Sequence, residues 1–122
     1  MKKILIVDDV EMNVDLLVQL LEDDYELLVA NDGSKGLELA VSGSPDLILM
    51  DMSMPEMDGW EAAKQFKASE SLNQIPIIGI SSHAMSGDRE KALQAGCDDY
   101  LTKPLDEEDL FTKLNTFLAK DE

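Results

Sequence analysis

The stretch "LILMDMSMPEMDG", Leu47 to Gly59, decides the fold and poses the functional question. Leu47 to Met50 form an unbroken apolar run, the pattern of a strand buried on both faces. That run ends on a carboxylate, Asp51. On the simpler reading, Asp51 only stops the strand and faces water. The rest of the chain has to say whether it does more.

Outward from this point, four further runs alternate with helical patterns. "KILIV" (Lys3 to Val7) and "ELLVA" (Glu26 to Ala30) precede it, and "IPIIGI" (Ile75 to Ile80) and "DYLT" (Asp99 to Thr102) follow. Val10, Val14, Leu17 and Leu21 recur at helical spacing, with Leu16 and Leu20 expected to widen the buried stripe. Ser34 is expected to cap a second helix that ends near Gly43 and Pro45. Asp58 and Glu61 form a capping-box pattern before Trp60, Ala63 and Phe66. A weaker fourth helix, about Met85 to Ala95 and interrupted by Gly87, has only Ala92, Leu93 and Ala95 for contact after Met85. Asp106 can cap a fifth, with Leu105 stapling onto Leu110 ahead of Leu114, Phe117 and Leu118.

Strands alternating with helices predict an α/β fold with a doubly wound parallel sheet. For a five-stranded sheet the expected order is flavodoxin-like, 2-1-3-4-5, with helices on both faces. All 122 residues are expected to form a single domain.

Composition narrows the function. The net charge of −16, from 26 acidic and 10 basic residues, excludes direct binding to a nucleic-acid backbone. No apolar run approaches the roughly 20 residues that cross a bilayer, so membrane insertion is not expected. The opening "MKKILIV" has a basic start, but Asp8 and Asp9 end its apolar run short of the roughly 7–15 residues of a signal peptide. A cytoplasmic location is expected, and the single cysteine, Cys97, agrees with a reducing compartment.

The expected topology collects the strand ends on one edge. Strand one ends in Asp8-Asp9, strand three in Asp51, strand four in Ser81-Ser82 and strand five in Thr102-Lys103-Pro104. Asn31-Asp32-Gly33, after strand two, reads only as a turn. Carboxylates gathered this closely repel unless one is protonated or a cation sits among them. An all-oxygen ligand set favours Mg2+ over transition metals, and no loop offers the oxygens Ca2+ prefers. A dication, the Lys103 ammonium and the Ser81 hydroxyl around a central carboxylate suit phosphoryl transfer, with Asp51 as nucleophile.

At this point the sequence resembles the receiver domain of bacterial two-component response regulators. "ILIVDD", "PDLILMDMSMPEMDGWE", "PIIGISSHAM" and "GCDDYLTKP" stand in that family's order and spacing across essentially the whole chain. The resemblance implies a regulatory phosphoacceptor, not an enzyme with its own substrate. Asp51 would accept phosphate from a histidine kinase or a histidine phosphotransfer protein, and the chain would promote its own phosphorylation and dephosphorylation. It also implies Mg2+ held by Asp9 directly, Asp8 through water, Asp51, and the backbone carbonyl of Ser53. Ser81 would be the hydroxyl switch and Lys103 the pairing cation, with a cis Lys103–Pro104 bond. Tyr100 would be the aromatic switch, rotating inward on phosphorylation. Ser53 and His83 would flank the phosphate. Ser82 replaces the usual Ala or Gly after the switch hydroxyl, which bears on the phosphate's lifetime.

Without an effector domain, output is expected through protein contact or relay, on the face of the fourth helix, fifth strand and fifth helix. A monomer or weak dimer is expected. A haloacid-dehalogenase phosphatase would need a second Asp where Ser53 stands, and the acid pair here precedes the nucleophile. A pseudo-receiver is disfavoured by the full set of site residues. A flavodoxin-like cofactor binder lacks its phosphate loop after strand one.

Overall fold

The computed structural model describes residues 2–51, 59–70, 72–81, 90, 93–94, 96–102 and 106–118. Five parallel strands form one sheet: β1 (Lys3–Val7), β2 (Glu26–Ala30), β3 (Leu47–Asp51), β4 (Ile77–Ser81) and β5 (Asp99–Thr102). Their order is β2-β1-β3-β4-β5, as the alternation of elements implied. The central strands are apolar throughout because helices cover both faces. Every residue of β3 is buried, and β1 is buried from Ile4 onward.

The side chains divide by strand parity. Leu5, Val7, Ile48, Met50, Ile77 and Tyr100 point to one face, where they pack with Ala40, Phe66, Leu72 and Cys97. Ile4, Ile6, Leu47, Leu49, Ile78, Ile80 and Leu101 point to the other, against Leu17, Leu21, Leu110, Leu114 and Leu118. The first face carries α2 (Gly33–Gly43) and α3 (Gly59–Ala68). The second carries α1 (Glu11–Leu21) and α4 (Glu107–Leu118), the last being the fifth helix of the expected series.

Local chemistry sets the helix ends, not always where the sequence suggested. The N-cap of α2 is Asp32, whose Oδ1 accepts the Lys35 N–H at 2.7 Å; Ser34 lies inside the helix. Asn31-Asp32-Gly33 is therefore a helix start as well as a turn. The helix ends on Ser44, held at φ 48°, and Lys3 Nζ donates to the Gly43 carbonyl at 2.7 Å, a cation at the negative end of the helix. Gly36 lets α2 lie close on the sheet, since a Cβ there would come within 2.9 Å of Val7 Cγ2. Asp106 caps α4 as expected, accepting the Asp109 N–H at 3.2 Å.

Two further expectations shift. β4 begins at Ile77, not Ile75, because Pro76 has no N–H and the Ile75 N–H turns back to Leu72 O at 3.0 Å. In α1 the buried positions are Leu17 and Leu21, while Leu16 is 47% exposed. Leu16 lies about 100° around the helix from Leu17, beyond the width the sheet covers. The capping pattern at Asp58, the staple at Leu105 and most of the fourth helix (Met85, Gly87, Ala92 and Ala95) lie outside the described residues; Glu90, Leu93 and Gln94 are helical. The side chains of Trp60, Glu61 and Ala63 also fall outside them.

Candidate metal and phosphoacceptor site

Val7 pairs with Met50, so the residues that follow, Asp8 and Asp51, emerge side by side at the carboxyl ends of β1 and β3. By parity both leave the sheet on the side of α1 and α4. Each is 3% exposed. Asp9, next along the chain, is exposed. One ligand oxygen from each of Asp8, Asp9 and Asp51 can be chosen so that all lie within 4.8 Å of one another.

The backbone fixes this arrangement. Asp8 Oδ1 accepts the Val10 N–H at 2.9 Å, and the Asp8 N–H donates to the Ala30 carbonyl at 3.0 Å. The turn from β1 into α1 thus clamps the first carboxylate, while Asp51 is the last residue of the β3 ladder, paired with Ile80. Carboxylate oxygens alone, with an exposed member open to water, suit a hard dication. An acidic cluster able to hold a metal ion therefore stands at the switch point between β1 and β3, where ligands of open α/β sheets bind.

The other expected residues are placed unequally. Ser81 closes β4, paired with Thr102 and one position beyond the partner of Asp51, though its side chain is not among those described. Thr102 is exposed at the end of β5, on the same edge of the sheet. Lys103, Pro104, Ser53, Ser82 and His83 lie outside the described residues, with Met54 and Met57. Tyr100 is 6% exposed in the cluster with Met50, Phe66 and Cys97. Inward rotation of Tyr100 is expected on phosphorylation; in this structure the ring is buried among its apolar neighbours.

Sequence reasoning missed the surface beside this site. Val10, the extended N-cap of α1, is 45% exposed directly after the acids, and Met12 at 81% and Leu16 at 47% exposure stand on the first turns of the helix. The only signal available was Met12, which falls off the buried stripe.

The geometry defines an open α/β fold with an acidic cluster at the carboxyl ends of its central strands. Residues 4–115 match the model of the response regulator receiver domain, and the chain belongs to that family. It is a receiver domain of the two-component and phosphorelay type. Among its relatives is the polar-differentiation response regulator DivK of Brucella ovis, 42% identical over 105 residues, 85% of each chain. The receiver domain of the sensor histidine kinase PA1611 from Pseudomonas aeruginosa, solved with a magnesium ion coordinated in its active-site cleft, is 33% identical. It superposes with a TM-score of 0.89 over 98% of both chains. The co-crystal of the Saccharomyces cerevisiae phosphotransfer protein Ypd1 with the receiver domain of its downstream response regulator Ssk1 gives 29% identity and a TM-score of 0.90. That match covers 98% of this chain and 90% of the other.

Proposed function

We propose that Asp51 is the phosphoacceptor of this receiver domain and that residues 1–122 act as one such unit. The observation that carries this reading is the convergence of Asp8, Asp9 and Asp51 within 4.8 Å at the switch point of the sheet. Asp9, Asp8 through water, Asp51 and the Ser53 carbonyl would hold Mg2+. When bound, that ion neutralises the acids and stabilises charge on the transferring phosphoryl group. A carboxylate oxygen of Asp51 forms the new O–P bond as the N–P bond of a phosphohistidine breaks. The imidazole nitrogen keeps that electron pair and takes up a proton. Lys103 and Ser81 then bind phosphoryl oxygens, while Ser53, Ser82 and His83 flank the group and set how fast water removes it. The same machinery makes the domain promote both its own phosphorylation and its own dephosphorylation.

The donor is a histidine kinase or a histidine phosphotransfer protein, and the exposed Val10, Met12 and Leu16 are the surface it covers. From Lys3 to Lys35 the chain contains no basic residue, whereas Glu11, Asp15, Glu22, Asp23 and Asp24 line α1 and its end. A partner with apolar contacts ringed by basic side chains fits that surface. Output passes to a downstream protein, or to a further phosphotransfer partner, through β5, the last helix and the expected fourth helix, with Tyr100 and Ser81 as the switch. The domain acts in the cytoplasm as a monomer or weak dimer; none of the described helices is long and apolar enough to cross a membrane.

The test is labelling by a small phosphodonor with Mg2+. Wild type should take up an acyl phosphate labile to hydroxylamine, and Asp51→Asn should take up none. Labelling of Asp51→Asn at the wild-type level would overturn the assignment.

A further inference from the structure

One row of residues crosses the sheet on the face that carries α2 and α3. Ala30 pairs with Val7, Val7 with Met50, Met50 with Gly79, and Gly79 with Tyr100. Every member except Gly79 belongs to that face's apolar cluster. Gly79 is itself buried, in the interior of β4, where a residue without a side chain weakens the strand and has nothing to pack. Neighbouring strands lie about 4.8 Å apart, so the missing side chain leaves a gap about one strand wide between Met50 and Tyr100. Tyr100 stands on the edge strand β5, where an aromatic ring could as easily turn outward, yet it is 6% exposed.

We propose that Gly79 is the seat of the Tyr100 ring: the glycine leaves the space in which the ring lies across β4 toward Met50. The buried position of the tyrosine is then built into the sheet. Met50, the residue before Asp51, forms the far wall of the seat, and Ser81 lies two residues beyond Gly79. Gly79 is a positioning residue, acting only through Tyr100. This inference rests on the reading of Tyr100 as the switch residue only for its interest: it concerns where the ring lies, the switch reading concerns whether it moves, and its test needs no phosphorylation, so the two can fail separately.

The experiment uses the full chain with fluorotyrosine at its two tyrosines, Tyr25 serving as internal reference. The H2O/D2O solvent isotope shift of each 19F resonance reads exposure. In wild type without a phosphodonor, Tyr100 should show almost no isotope shift. Gly79→Val should bring Tyr100 to the full shift of the urea-unfolded chain, Gly79→Ala should bring it part of the way, and Tyr25 should stay unchanged in both. The melting temperature supplies a second reading, since neighbours that share space are not additive. Gly79→Val should lower it in the wild-type background and lower it by less than half as much in Tyr100→Ala. A water-exposed Tyr100 in unliganded wild type would overturn the proposal. So would a buried Tyr100 in folded Gly79→Val, or equal melting losses in the two backgrounds. If Gly79→Val does not fold, Gly79→Ala and the double variant carry the same comparisons.

Discussion

Asp8 and Asp51 lie side by side at the ends of adjacent parallel strands, each 3% exposed, with ligand oxygens of the pair within 4.8 Å. Two like charges at that separation repel by about 3 kcal/mol at an effective dielectric of about 20. Asp9 brings a third charge to the same point. A cation among the three carboxylates offsets that repulsion.

Mg2+ should therefore stabilise the fold. At about 100 times its dissociation constant, a ligand of the native state adds roughly 2.7 kcal/mol. The melting temperature should rise with MgCl2 well beyond the rise in NaCl of matched ionic strength. Asp9→Ala should remove most of that gain, and without metal should be at least as stable as wild type. Equal responses of the two proteins would place the metal elsewhere.

The surface after Asp9 should matter only to a protein donor. Met12 is 81% exposed and Leu16 47%; burying Met12 against a partner is worth about 1.5–3 kcal/mol, and burying the half-covered Leu16 about half as much. Met12→Ser should lower kcat/KM for transfer from a phosphotransfer protein roughly tenfold or more, equivalent to about 1.4 kcal/mol, and Leu16→Ser should lower it by less. Labelling by a small phosphodonor should be unchanged. Parallel losses with both donors would mean the substitutions act on the site itself.

At the opposite end of the sheet, Asp98 joins three segments. Its Oδ2 accepts the Ile77 N–H at 2.8 Å and Lys67 Nζ at 3.1 Å, and Lys67 also donates to the Asn73 and Ile75 carbonyls at 3.3 Å. Asp98→Ala strands the part-buried Ile77 N–H and should cost about 1.5–3 kcal/mol in urea unfolding. Lys67→Met should cost less, because that ion pair is partly exposed to water. Small-phosphodonor labelling should survive both. A loss under 0.5 kcal/mol for Asp98→Ala, roughly the effect of an ordinary surface change, would contradict this role.

Burial, and then the charge of Asp98, push the Cys97 thiol up to about 12, with Lys67 opposing them. The unfolded thiol ionises near 9.0, so between those values only the unfolded chain has released the proton. Its contribution to stability is complete below about pH 9 and is lost as pH rises toward 12. Cys97→Ala should consequently lose less of its urea midpoint than wild type between about pH 8 and pH 10.5. At about pH 8 native Cys97, 4% exposed, should react with iodoacetamide far more slowly than the unfolded chain. Equal alkaline losses, or rapid native alkylation, would contradict the buried, protonated thiol.

Much of this was legible in the chain because burial on both faces leaves a strong signal. The runs at Lys3–Val7 and Leu47–Met50 could be little else, and once strand order is fixed, Asp8, Asp9 and Asp51 must meet. Leu16 was misread because apolar recurrence gives the direction of a helix's buried stripe but not the width of surface that covers it. The cap at Asp32 was missed because Ser34, two residues on, is an equally good capping type, and only the exit path of β2 selects between them. The seat of Tyr100 depends on Gly79, a neighbour across strands, and periodicity along one strand carries no such information.

The most direct measurement is chemical mapping of the phosphorylated residue. The chain is phosphorylated with a small phosphodonor and Mg2+, reduced with borohydride, and sequenced by mass spectrometry. Reduction converts a phosphorylated aspartate to homoserine, so homoserine should appear at position 51 and nowhere else, and only when Mg2+ is present. Homoserine at position 8 or 9, or none anywhere in a protein that carries label, would contradict the assignment of Asp51 as the acceptor.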